Sequence, residues 1–169
     1  MALLLDHVIV GVHNLQQAMN SYHALDFKVI EGGKHSAGTT HNALIVFEDG
    51  TYIELLAPTN QFVSSEVKRS DFLNFVNKDE GLSGFALGSD NLDTLADDLK
   101  SRGMATYPIE EGMRTRPDGT QLRWRLMRLE DEPSIFFIQD VTDRQRRLSD
   151  NQSDYNHDNF VRGINGVNM

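Results

Sequence analysis

The sequence predicts an α+β fold that contains one β-α-β-β-β unit twice. Two helices open in the same way, because Asn14-Leu15 and Asn91-Leu92 each place a capping asparagine before an apolar stripe, 77 residues apart (91 minus 14). A strand-like run precedes each helix, and a hairpin of alternating residues follows it. Superposing 47–49 on 129–131 gives an offset of 82 (129 minus 47), so the second unit has longer loops. An internal repeat of this kind constrains the whole fold.

The first unit is expected over residues 1–60. Residues 5–12 alternate as a strand, and a helix follows Asn14. Residues 27–30 form a short strand, and the glycine-rich stretch 31–39 is expected to be a flexible loop.

A hairpin closes this unit at Asp49-Gly50, a dipeptide that favours a two-residue turn. That turn predicts that Ile45 pairs with Glu54 and that both share one face of the sheet with His41 and Tyr52. A carboxylate within a hydrophobic strand is costly unless a metal, a cation or a wet cavity compensates it. Glu54 is therefore the first candidate for function.

The second half repeats this plan after a connector, residues 61–82, that carries a short helix. The repeat is expected over residues 83–141, with strands at 83–89 and 104–108, a loop at 110–119, and a hairpin formed by 121–129 and 134–139. Residues 142–169 are polar and are expected to form a surface or disordered tail. Within this tail, residues 160–167 are either a terminal strand or a segment that packs on a neighbour.

The composition argues against several classes of partner and metal site. The chain has 169 residues, a net charge of −9 and no cysteine. The charge argues against nucleic-acid and anionic-membrane partners, and the missing thiols leave only nitrogen and oxygen ligands for a metal. The apolar start lacks a basic leader and is interrupted by Asp6 and His7, which predicts a strand rather than a signal peptide. The absence of cysteine is typical of a reducing cytosol, so a cytoplasmic protein is expected.

Four stretches carry a family resemblance: LDHVIVGVHNL, GTTHNALIVFEDGTYIELLAP, EGLSGFALGSDNLDTLADDLKSRG and PSIFFIQD. The repeated unit, with histidine in its first strand and glutamate in its fourth, resembles the vicinal oxygen chelate superfamily and especially its glyoxalase-like domains. Glyoxalase I, extradiol dioxygenases and bleomycin-resistance proteins belong to this superfamily. The resemblance implies curled mixed sheets around a shared cavity, helices on the outside, and a divalent metal that chelates two substrate oxygens.

The resemblance places metal ligands on the first and fourth strands of each unit. His7 and Glu54 occupy these positions in the first unit, whereas the offsets put Gly84 and Phe136 there in the second. His41 is a candidate third ligand, although it lies roughly 13 Å along the strand from the level of Glu54. Such a set suits zinc, iron, manganese or nickel. The alternative is a buried hydrogen-bonded pair in a fold that binds no metal.

The second hairpin predicts the ligand contacts. The repeat offset places Arg123, Arg125 and Met127 on the cavity face, beside Phe136 and the first-unit residues Ile45 and Tyr52. The arginines would then hold a carboxylate or phosphate, unless they only decorate a solvated strand.

Two functions follow from these expectations. The first is a metal-assisted lyase, isomerase or dioxygenase in which Glu54 is ligand or base. The second is a metal-free protein that binds an anionic small molecule, as resistance proteins do. A homodimer is expected, with the two units pairing either within one chain or across the dimer.

Overall fold

The structure, a computed structural model, describes residues 3–36, 38–59 and 71–168. The first unit consists of β1 (Leu4–Gly11), α1 (Leu15–His23), β2 (Ile30–His35), β3 (Thr40–Val46) and β4 (Tyr52–Pro58). After α2 (Asp71–Val76), the second consists of β5 (Gly81–Gly88), α3 (Leu92–Ser101), β6 (Glu110–Thr115), β7 (Gln121–Arg128) and β8 (Ile135–Asp140). A short helix, α4 (Arg144–Arg147), and a 3-10 turn (Gln152–Tyr155) follow. The helix predicted within the connector is α2. Residues 61–70 of the connector lie outside the described ranges.

The strands form a closed barrel in the order β1-β4-β3-β2-β6-β7-β8-β5. Each unit contains one parallel pair, β1 with β4 and β5 with β8, and the two units join through the antiparallel pairs β1/β5 and β2/β6. The predicted α+β class, two β-α-β-β-β units curled around a common interior, is therefore confirmed.

The helices cover the outside of the barrel. Asn14 Oδ1 accepts the Gln17 backbone N–H at 3.0 Å, and Asn91 Oδ1 accepts that of Thr94 at 3.0 Å, so both predicted caps are present. Beneath α1 and α3 lie two apolar clusters of the same kind. They are built from Leu15, Met19, Ile45, Phe47 and Leu55 in the first unit and from Leu92, Leu95, Leu99, Met127 and Phe137 in the second. Within the described part of the chain, no helix is long and apolar enough to cross a membrane.

The glycine-rich loop prediction is wrong, because most of residues 31–39 belong to β2. Likewise β6 lies where a loop was expected, and residues 104–108 contribute only a single bridge from Thr106 to Leu129. The reason is visible at Gly32, where an added Cβ would lie 2.1 Å from Asn42 Oδ1 and 2.4 Å from Arg114 Nη1. This glycine therefore makes room for two interior side chains within a strand, and it does not mark a flexible loop.

The predicted register of the first hairpin is also wrong by one residue. The Phe47 N–H donates to the Thr51 carbonyl at 2.9 Å, so the loop has three residues instead of two, and Gly50 adopts a φ of 82°. Consequently Val46 lies opposite Tyr52. A slip of one residue turns every β3 side chain to the other face.

The C-terminal segment, residues 142–168, lies mostly at the surface, one of the two predicted alternatives, but parts of it pack against the barrel, and residues 160–167 form no strand. Leu148 and Tyr155 pack on Leu44 and Val46 at the inner face of the first unit. His157 fixes the segment further along, because its Nε2 donates to the Val46 carbonyl at 3.0 Å and its Nδ1 accepts the Lys28 backbone N–H at 3.0 Å.

Candidate functional site in the barrel interior

His7 and Glu54 face each other inside the barrel. An irregularity in the β1/β5 pairing at Asp6 places the Asp6 carboxylate beside the His7 ring. His7 Nδ1 donates to Asp6 Oδ1 at 2.6 Å, which directs Nε2 toward Glu54 Oε2 at 3.5 Å. Both His7 and Glu54 are buried, with 3% and 7% of their surface exposed. The predicted pair is thus brought together by adjacent parallel strands.

A second histidine approaches the same carboxylate. His35 Nε2 lies 3.7 Å from Glu54 Oε1, while His35 Nδ1 contacts Thr40 Oγ1 at 2.8 Å. Asn42 Nδ2 donates to Glu54 Oε1 at 2.5 Å. The interior therefore contains two imidazoles directed at one carboxylate, and an amide holds that carboxylate in place.

The C-terminal segment reaches this cluster through Arg147. Its guanidinium forms two hydrogen bonds with Asp6, at 2.8 and 3.0 Å, and two with Asp140, at 2.8 and 2.9 Å. It also donates to the Tyr52 hydroxyl at 2.5 Å, and Tyr52 stacks on the His7 ring with centroids 4.4 Å apart. Arg144 forms a further ion pair with Asp6. These contacts fix the carboxylate that orients His7.

Burial and neighbouring charges set the protonation of the cluster. Burial opposes ionisation of Glu54, but the His7 contact and the His35 charge lower its pKa to about 2. Burial also disfavours the charged form of His7, yet Asp6 and Glu54 outweigh it and raise its pKa. Burial lowers the pKa of His35, while the charge of Glu54 acts in the opposite direction. A carboxylate with so low a pKa is a poor general base and a good ligand.

The glyoxalase-like domain family matches residues 5–169, nearly the whole chain. The chain belongs to that family. No protein of curated function matches it. The match extends through the C-terminal segment, which is consistent with the packing of that segment against the barrel.

Solved structures agree with the fold of this glyoxalase-like protein. A hypothetical protein from Staphylococcus aureus superposes with a TM-score of 0.70 and 22% identity, over 86% of this chain and 62% of its own length. The methylmalonyl-CoA epimerase from Streptomyces coelicolor, in complex with 2-nitronate-propionyl-CoA, gives 0.61 and 21%, over 83% and 97%. The enzyme of the same name from Mycobacterium tuberculosis gives 0.59 and 21%, over 81% and 87%. At these identities the likeness establishes the vicinal oxygen chelate fold alone.

The predicted ligand contacts divide between the two faces of the sheet. Tyr52 and Phe136 lie inside the barrel as expected, Phe136 with its ring centroid 5.6 Å from that of His7. Ile45 and Met127 lie instead in the clusters beneath α1 and α3, because the predicted register was wrong by one residue and the repeat offset carried that error into β7. Their predicted place on the cavity face is corrected.

The two predicted arginines lie outside the barrel for the same reason. Arg125 forms an ion pair with Asp93 on α3 at 2.7 Å, and Arg123 pairs with the exposed Glu111 at 3.0 Å. His41 alternates with the interior Asn42, so it lies on the same side as Ile45 and does not join the cluster. The corrected register therefore removes His41 as a third ligand.

Sequence reasoning missed three interior residues: His35, Asn42 and Trp124. Each lies on a strand whose register or existence was predicted wrongly. Trp124 alternates with Arg123 and Arg125, and it packs with Ala86, Phe136 and Ile138 in an inner apolar cluster. With the correct loop length, the alternation of side chains along each strand would have placed Asn42 and Trp124 inside the barrel, because each neighbours a residue that was wrongly predicted to face inward.

The donor chemistry of the cluster fits a divalent ion, while the spacing fits only in part. Two ligands held about 2.1 Å from one tetrahedral ion lie about 3.4 Å apart, and the 3.5 and 3.7 Å separations of Glu54 from His7 and His35 are close to this. Both histidines have their Nδ1 engaged by an outer partner, as metal ligands usually do. However, no three His, Asp or Glu side chains in the described ranges already have the spacing of a complete site.

Proposed function

We propose that this glyoxalase-like protein acts on a small molecule in the barrel interior, with one divalent metal held by His7 and Glu54 and with His35 as the third ligand. Zinc, iron, manganese and nickel all suit two imidazoles and one carboxylate. The proposal rests chiefly on one observation, the convergence of both Nε2 atoms on the Glu54 carboxylate. When bound, the metal would supply Lewis acidity for a lyase, isomerase or dioxygenase reaction.

The residues of the chain have distinct parts in this proposal. Asp6 holds the His7 Nδ1 proton, so that Nε2 presents a lone pair once its own proton is released. Asn42 restrains Glu54 and keeps it ionised. The pKa of about 2 supports the role of ligand, rather than base, for Glu54. Tyr52 and Phe136 form walls beside the His7 ring and would exclude water from the substrate.

Metal analysis of protein purified without chelator tests the proposal. Stoichiometric metal is expected in the wild type and should be lost in His7→Ala and Glu54→Gln, since one donor disappears in each. His35→Ala should lower metal affinity by at least about 10- to 100-fold. This is the usual loss when an outer-sphere partner is removed, and the loss of a direct ligand should be no smaller. The outer-face histidine supplies the matched control, because His41→Ala should retain the metal. A wild type that binds none of the four metals when they are added would refute the proposal.

The second candidate, a metal-free binding protein, is favoured by the charge balance of the interior. Arg147 already neutralises Asp6, and the amide of Asn42 already holds Glu54. Under this alternative the His7–Glu54 pair only stabilises the fold, and metal analysis gives no metal while a small molecule still binds. A cytoplasmic location and a homodimer remain predictions, which fractionation and light scattering would test.

A further inference from the structure

Arg114 is a buried cation with no carboxylate within 4.0 Å of its guanidinium in the described part of the chain, although the charge of Glu54 acts on it from a greater distance. Only 3% of its surface is exposed. Its guanidinium donates to Asn42 Oδ1 at 3.4 Å and to the Arg147 carbonyl at 2.7 Å, and both of these acceptors are neutral. A guanidinium has five N–H donors in a fork that matches a carboxylate. Arg114 therefore retains donors for an anionic group.

A cavity adjoins this side chain. It has a volume of about 200 Å³, and Ile30, Leu44 and Leu148 supply apolar walls around Arg114. This volume corresponds to about seven water molecules, which is enough space for a small organic ion. Arg114 is also close to the proposed metal ligands, because Asn42 accepts from Arg114 and donates to Glu54.

The negative charges around the cavity lie near its mouth, and the positive charge of Arg114 lies deeper. Glu31 and Asp118 are exposed and Asp154 is partly exposed, whereas Arg114 is buried. The other cation of the lining, Arg116, is already paired, lying 3.0 Å from Asp150 and 3.5 Å from Asp118. A single negative charge can therefore reach a buried cation, but a second negative charge would remain near the acidic mouth. The arrangement disfavours polyanions such as phosphate esters.

We propose that Arg114 binds the carboxylate of a small monocarboxylic acid whose other end is uncharged or cationic. The ligand's carboxylate forms a two-point contact with the guanidinium, and its apolar part lies against Leu44 and Leu148. The inference rests on the proposed function to the extent that this acid is the molecule on which the Glu54 cluster acts. Binding at Arg114 itself needs no metal.

Calorimetry on chelator-treated protein separates the two proposals, with pyruvate, malonate and inorganic phosphate as probes. Pyruvate should bind at least tenfold more tightly than malonate or phosphate. Arg114→Gln should weaken pyruvate binding at least tenfold, and Arg123→Gln, which removes an exposed arginine on the outer face, should leave it unchanged. Binding of pyruvate without any metal would support this inference even if the metal proposal fails.

Two further variants keep the inference open to refutation if Arg114→Gln does not fold. Arg114→Lys preserves the charge without the fork and should bind pyruvate with intermediate affinity. Leu148→Phe fills the cavity without changing any charge and should weaken pyruvate binding. The inference is wrong if pyruvate fails to bind the wild type at millimolar concentration, or if Leu148→Phe and the Arg114 variants bind it as tightly as the wild type.

Discussion

The two halves of the barrel have apolar cores of the same kind beneath their helices, but their inner faces differ in polarity. In the first half β1 pairs Ile9 with Glu54, and in the second the matching strands pair Ala86 with Phe136. Glu54 and Phe136 thus occupy equivalent places in the parallel pairs, and both are buried. One is an ionised group among polar partners, and the other packs with Ala86 and Ile138.

This difference shows which residues the fold requires. Both units need an apolar stripe beneath a helix, because that surface drives the helix onto the sheet. The inner faces meet only the cavity and the C-terminal segment, so they are free to differ. Polar chemistry is concentrated in the first half, and Phe136 leaves no ligating side chain at the equivalent place in the second.

The largest effect is expected from breaking the contact that joins these halves. Arg147 binds Asp6 of β1 and Asp140 of β8, and it is 3% exposed. Arg147→Ala leaves both carboxylates with less compensation and should lower the free energy of unfolding by about 3–5 kcal/mol. Urea denaturation followed by circular dichroism measures this. The exposed Arg123→Ala, which removes a surface pair, should change it by no more than about 1 kcal/mol.

A loss in Arg147→Ala as small as that of Arg123→Ala would contradict this reading of the network. The inner faces would then be independent of the C-terminal segment. Asp140→Asn offers a milder comparison, since it removes the charge on the second half alone and leaves Asp6 paired with Arg147 and Arg144.

The sequence predicted the fold well because its strongest signals are local. Two asparagine caps and two apolar stripes define the helices, and the repeat between them defines the architecture. The inner face was predicted less well because it depends on strand register. One additional loop residue before Thr51 places Ile45 on the outer face, and the repeat offset carried the same error to the predicted positions of Met127 and both arginines. The predicted interior positions of His7 and Glu54 were not affected by this error, because the alternation along β1 and along β4 was predicted correctly.

The outer cores should respond alike in the two halves. Ile45 and Met127 are each fully buried, beneath α1 and α3 respectively. Ile45→Ala and Met127→Ala should each cost about 2–5 kcal/mol of unfolding free energy, from lost burial and the cavity left behind. Neither should change metal content or pyruvate affinity in protein that remains folded. A specific loss of ligand binding in Ile45→Ala would show that this side chain reaches the interior after all.

The pH dependence of stability should distinguish the inner faces, because Glu54 titrates and Phe136 does not. The pKa of Glu54 falls from 4.5 to about 2 on folding, so its stabilisation is complete above pH 4.5 and is lost as the pH falls toward 2. This corresponds to about 3 kcal/mol. His7 has the opposite sign, since its raised pKa stabilises the fold fully below pH 6.5 and less as the pH rises through the folded value.

Urea denaturation of metal-free protein at pH 6, 4 and 3 measures the Glu54 contribution. Glu54→Gln keeps the shape of the side chain and removes the charge, so its stability should fall less between pH 4 and 3 than that of the wild type. Equal acid slopes for the two proteins would mean that another carboxylate carries the effect. Asp6 is the next candidate, because contacts with His7 and Arg147 overcome its burial and hold its pKa well below the usual range.

The smallest effect is expected on the outer face of the second half, where Arg125 pairs with Asp93 beside the start of α3. Both groups are solvent-accessible, so Arg125→Gln should change the unfolding free energy by about 1 kcal/mol or less, and less still in high salt. Pyruvate affinity should be unchanged, because the side chain lies on the side of the sheet away from Arg114. A tenfold loss of affinity in Arg125→Gln, with the fold intact, would instead restore the originally predicted register and place the ligand on the opposite face.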